Sequence, residues 1–179
     1  MKTRQVTIFN GERFEVPQCI QRIDHQSTHG WQVRYNGTKL FSDHSQDGSG
    51  AAVALAAAVK ALQARIAKAP APSRLQRRPS GTKTSGLPVG ISGPVVRQRA
   101  GSRVRDCSFA VSLPCYGSPP RGRSVYIGTE NTYTPEKYHA ALAKAVALRG
   151  EAEAAYQRAA TRARRAGSKA LVKDGVEGA

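Results

Sequence analysis

Aromatic residues make up only 6% of this 179-residue sequence, and much of its 40% apolar content is alanine. That scarcity argues against one large core and for small cores separated by irregular stretches. No window approaches 18 apolar residues, because the Ala-rich stretch after Gly50 is broken by Lys60, so no membrane-spanning helix is expected. No apolar segment follows Met1-Lys2-Thr3-Arg4-Gln5, so no secretory signal is expected either. Cysteine is sparse: Cys19, Cys107 and Cys115 are odd in number and lack CxxC spacing, which points to reduced thiols in a cytoplasmic protein rather than a disulfide frame or a zinc site.

Catalytic constellations are also missing. His25 and His29 stand four apart in a turn-rich stretch with no third ligand in view, and His44 and His139 are isolated, so no metal is expected. There is no Gly-rich phosphate loop, no Ser/His/Asp set and no spaced carboxylate pair; Asp43 and Asp47 read as turn residues. The expectation is a protein that is not an enzyme and carries no cofactor.

Acid is scarce beside base. Twelve Asp and Glu face 28 Lys and Arg, a formal net charge of +16 and a pI near 10.5. Such an imbalance calls for a polyanionic partner. Arginine predominates, and its guanidinium fork suits phosphates and guanine edges.

Along the chain, Val6–Phe9 and Arg13–Val16 flank Asn10-Gly11, a hairpin signal. Three alternating stretches follow: Cys19–Ile23, Trp31–Tyr35 and Lys39–Ser42, the last two joined by Asn36-Gly37. Ala51–Lys68 has helix-forming composition, with Leu55, Val59, Leu62 and Ile66 on one face. Residues 69–86, rich in Pro and Ser with four basic residues and no acid, read as a flexible linker. The order then begins again with Val95–Arg99, Cys107–Leu113 and Arg123–Ile127, a Pro/Gly loop at Pro114–Gly122, and a helix from Thr134-Pro135-Glu136 past Tyr156 towards Arg165. The fold class expected is α+β: two tandem modules, each a three-stranded antiparallel sheet packed on one α-helix, joined by a flexible basic linker. The divisions are 1–68, 69–86, 87–166 and a tail at 167–179.

Both halves resemble the Apetala-two (ethylene-response-factor) DNA-binding domain in its bacterial, phage and integrase-associated form. The first half carries Ile20-Gln-Arg-Ile-Asp, Gly30-Trp-Gln-Val-Arg and Phe41-Ser-Asp before its helix. The second carries Gly90-Ile-Ser-Gly, Phe109-Ala-Val and Val125-Tyr-Ile-Gly-Thr. The resemblance implies a sheet lying in the DNA major groove with the helix behind it. It departs from the family in lacking a second tryptophan. The residues expected to bind nucleic acid are Arg22, Arg34 and Lys39 in the first half, and Arg97, Arg99, Arg103, Arg105, Arg121 and Arg123 in the second. Trp31 is either a base contact or a core anchor; its parity with Val33 and Tyr35 favours the core. The basic run Arg158, Arg162, Arg164 and Arg165 reads as dipole-stabilising cations that also grip phosphate. The function expected is double-stranded DNA binding at the nucleoid, as a transcriptional regulator or a general DNA coater. RNA or a protein with an acidic face stands as the alternative partner, and no membrane is involved.

Overall fold

The Asn-Gly signals, the alanine-rich stretch and the Thr-Pro-Glu helix start all correspond to elements of the computed structural model, which describes residues 1–98, 101 and 103–176, with side chains through 170. Strands β1 (Thr3–Thr7) and β2 (Arg13–Pro17) form an antiparallel hairpin. Its turn is closed by Gly11 N–H on the Ile8 carbonyl and by Glu12 N–H on Asn10 Oδ1. Strands β3 (Ile20–His25), β4 (Thr28–Arg34) and β5 (Thr38–Ser42) form a meander. Asn36 and Gly37, between β4 and β5, both take positive φ, the conformation these residue types tolerate best. Helix α1 spans Ala51–Lys68. Strands β6 (Ile91–Gln98), β7 (Arg105–Cys115) and β8 (Ser118–Thr129) make a third sheet, and helix α2 runs from Pro135 to Val176.

The architecture is α+β with three small sheets, of two, three and three strands, and two helices. This overturns the expectation of two modules, each a single sheet on a single helix. The hairpin β1–β2 is a sheet of its own and contributes Ile8 and Val16 to the core of the first unit. Helix α2, 42 residues long, does not belong to one module. The chain divides into unit 1, Met1–Ala71 with Thr161–Ala179, and unit 2, Pro72–Ala160. The far end of α2 therefore packs within unit 1, where the Arg164 guanidinium lies 5.2 Å over the Tyr35 ring and the Gly167 carbonyl accepts from the Met1 amino group. No proline interrupts this helix after Pro135, so it runs on through residues expected to form a tail. Residues 69–86 hold no helix or strand, and those from Pro72 onward count with unit 2.

In unit 1, Trp31 and Val33 on β4 and Ile20 on β3 meet Ala51, Ala54, Ala58, Leu62 and Ile66 of α1. The buried stripe of α1 is thus mainly alanine, with Leu55 and Val59 at its margin. The large indole leaves room only for small side chains opposite it. Trp31 is fully buried, and its Nε1–H donates to the Ala51 carbonyl at 2.8 Å. The core of unit 2 joins Leu87, Ile91, Phe109, Val111, Val125 and Ile127 to Ala141 and Ala145 of α2.

The stretch Pro114–Gly122, expected as a loop, is mostly strand, turning at Tyr116-Gly117. Proline is tolerated there for two reasons. Strand β8, with Pro119 and Pro120, is an edge. Strand β6 ends at the Ile91–Val111 pair, so Pro114 has no ladder partner on that side. Among the described residues no helix is long and apolar enough to cross a membrane.

Gly50 starts α1 hard against the chain after β5: a Cβ built on it lies 1.8 Å from the Asp43 carbonyl oxygen. Backbone cannot yield there without moving the helix. Gly50→Ala is expected to destabilise the protein by about 1–3 kcal/mol, seen as a lower urea midpoint with an unchanged m-value.

Candidate nucleic-acid interface

Residues paired across an antiparallel ladder share a face of the sheet, so the register sorts the expected contact residues. In unit 1, Arg22 pairs with Trp31 and Lys39 with Val33. Both therefore stand on the face that carries the core. Lys39 is exposed at its margin, its ammonium 5.1 Å from the Phe41 ring centroid. Arg34 pairs with Thr38 on the opposite, open face, exposed, and its Nε–H donates to Gln32.

Arg22 is not a surface cation. Its side chain is 6% exposed and the Asp43 side chain 0%. The guanidinium donates to both Asp43 oxygens, at 3.0 and 2.5 Å, and through Nε to Asp24 at 2.9 Å. It lies 5.0 Å from the Trp31 ring centroid. His29 Nδ1 approaches Asp24 at 3.0 Å. Asp43, expected as a turn residue, is the anion that holds this arginine inside. The sequence did hold a signal for the inward side: Arg22 has the parity of the buried Ile20.

In unit 2 the open face of the sheet presents Ser92, Ser108, Ala110, Ser112, Gly122, Ser124 and Tyr126, as the pairs Ser92–Ala110, Ser108–Tyr126, Ala110–Ser124 and Ser112–Gly122 require. Arg97, opposite Asp106, is exposed at one end of this face. Arg103, also exposed, precedes β7. At the other end Arg121 and Arg123 pair with Leu113 and Val111. Their parity is that of the core-bearing face, yet both are exposed: Arg121 lies where the ribbon outruns β6, and Arg123 is level with its first pair, Ile91–Val111. Arg105 is bound to Glu130, Nε to Oε2 at 2.9 Å. Arg99 lies outside the described residues.

The six arginines of 97–123 are therefore not one patch. Arg97 and Arg121 stand opposite Asp106 and Leu113, seven residues apart on β7, or roughly 24 Å. Between them lie the serines, Ala110 and Gly122, together with Val95, paired with Ser108, and the exposed ring of Tyr126. Among the described residues, Arg103, Arg121 and Arg123 make no hydrogen bond or ion pair with protein, whereas Arg22, Arg105 and Arg149 are each held by a carboxylate. Unit 2 has 14 Lys and Arg against 5 Asp and Glu, a net +9. Trp31, as a core residue, is not available to a base.

No family model matches this chain, and neither a curated protein nor a solved structure does. The resemblance to the Apetala-two domain thus rests on the residues that carry it.

Two outcomes follow for the Arg22 cluster. Asp43→Asn strands a buried guanidinium beside Trp31 and is expected to cost about 3–5 kcal/mol in urea unfolding, while Arg34→Ala stays within about 0.5 kcal/mol. For Asp24, burial alone pushes the carboxyl up, but the hydrogen bonds from Arg22 and His29 outweigh it and hold the group below the usual carboxylate range. A depressed folded pKa stabilises the protein above the unfolded value, about 3.9, and that contribution is lost as pH falls through the folded value. Acid unfolding followed by tryptophan fluorescence is expected to shift to higher pH in Asp24→Asn.

Proposed function

We propose that this chain binds double-stranded DNA through unit 2, with the open face of β6–β7–β8 against the duplex and the arginines at its two ends on the phosphates. The observation that carries the reading is the sorting of charge: Arg103, Arg121 and Arg123 are exposed and, among the described residues, have no protein partner, in a unit of net +9. The serines, Ala110 and Gly122 of this face allow close approach around the Tyr126 ring, and the B-form major groove admits β-strands. The deep, narrow major groove of A-form RNA does not, which favours DNA over RNA. Arg34 in unit 1 and Arg97 are secondary contacts. Arg22 and Arg105 contribute through structure, since their guanidiniums are already held by carboxylates. The Apetala-two resemblance implies the same partner class. Small hydroxyls and Tyr126 offer few bidentate base contacts, so affinity comes mainly from the backbone and falls steeply with salt. The role that fits is a nucleoid-associated or regulatory DNA-binding protein without catalytic activity.

The test is fluorescence anisotropy with duplex DNA and with structured RNA across a salt series. Duplex DNA is expected to bind more tightly. The double variant Arg103→Ala/Arg121→Ala is expected to weaken binding about ten-fold or more and to flatten the log–log salt slope by about 2. Lys60→Ala, on the exposed side of α1, is expected to change neither. Equal affinity for RNA, or an unchanged slope in the double variant, would overturn the reading.

A further inference from the structure

The stretch 80–85 of unit 2 does not hang free. Lys83 Nζ donates to the carbonyls of Pro88 and Ile91, both at 2.7 Å. The anchored stretch forms one wall of a cleft of about 590 Å³. The other wall is the end of the third sheet where β6 stops and the β7–β8 ribbon continues, with Ser92, Ser112, Gly122 and Arg123 lining it. Ser80 and Thr82 face it from the anchored stretch, their hydroxyls 3.1 Å apart.

The chemistry of these walls is one-sided. Among the described residues, the only charged side chains lining the cleft are Lys83 and Arg123, and no carboxylate lines it. Lys83 is half-buried, and its two carbonyl acceptors are neutral. An ammonium has three N–H donors, so one remains, on a cation whose charge nothing in the cleft compensates. Hydroxyls from both walls add further donors. Fixed cations and hydroxyls converging on a space of this size are what an oxyanion with several acceptor oxygens requires.

We propose that this cleft is a phosphate-binding site, and that in the DNA complex it seats one backbone phosphate of the duplex. The second clause rests on the DNA-binding reading; the first does not. The cleft lies on the open face itself, at its Arg121–Arg123 end: Ser92, Ala110, Ser112 and Gly122 belong to both, so a duplex laid on that face would meet it there.

Gly122 supplies the means of testing it. Its φ is not in the left-handed region and a Cβ there meets nothing within 4 Å, so a side chain fits without displacing neighbours. The ¹⁵N-labelled full chain is titrated with inorganic phosphate at constant ionic strength. Saturable amide shifts at millimolar phosphate, confined to residues 80–92 and 110–123, are expected. In Gly122→Asp the apparent affinity is expected to fall at least ten-fold, while the isosteric Gly122→Asn stays within about three-fold. Ser124→Asp, with a carboxylate on the same face outside the cleft, retains the response. Ser112→Asp serves in place of Gly122→Asp if near-ultraviolet circular dichroism shows that variant misfolded. Diffuse shifts over all basic residues, no shifts, or shifts persisting in a folded Gly122→Asp would overturn the site. A duplex oligonucleotide that displaces the bound phosphate supports the backbone clause. Duplex binding that leaves phosphate in place overturns that clause alone, and no duplex binding with an intact phosphate response overturns the DNA reading but not the site.

Discussion

The ion pair between Arg22 and Asp43 is the constraint around which unit 1 is organised. It reaches from β3, past the indole of β4, to the chain leaving β5. Removing both charges from water is costly, and the cost is offset only when each finds its partners in good geometry. That condition sets the position of Asp43. The carbonyl of the same residue abuts Gly50, and the next residue, Ala51, accepts the Trp31 N–H. The first turn of α1 is thereby placed over the sheet, and the alanine stripe behind it follows from the size of the indole.

The same bonding decides what the surface can do. In a chain with few acids, each carboxylate that engages an arginine withdraws that cation from the set of exposed, uncompensated charges. Asp24 and Asp43 engage Arg22, Glu130 engages Arg105 and Glu153 engages Arg149. Among the described residues of unit 2, Arg97 and Arg103 stand towards one end of the β6–β7–β8 sheet and Arg121 and Arg123 towards the other.

Some of this was legible in the residues. The Asn-Gly pairs marked two of the three hairpins of unit 1, β1–β2 and β4–β5, and the parity of Trp31 with Val33 and Tyr35 marked the core side of β4. Other features were misread for identifiable reasons. Arg22 was assigned to an exposed nucleic-acid contact because its guanidinium suits phosphate, although Ile20 two residues earlier pointed inward. Leu55 and Val59 outweighed the alanines in reading α1, because hydrophobicity alone ranks them higher; the closeness demanded by Trp31 reverses that order. Pro114, Pro119 and Pro120 suggested a loop, since their tolerance in strands depends on which neighbouring strand is absent.

The sequence by itself determined the sign of the charge, the types of the main elements and the presence of turns at Asn10-Gly11 and Asn36-Gly37, because composition, periodicity and backbone preference are local properties. Only the tertiary structure decided that there are three sheets rather than two, that α2 serves both units, and which arginines are sequestered and which are free. Those outcomes depend on pairings between residues far apart in the chain, such as Arg22 with Asp43 and Arg105 with Glu130, and no local preference encodes them.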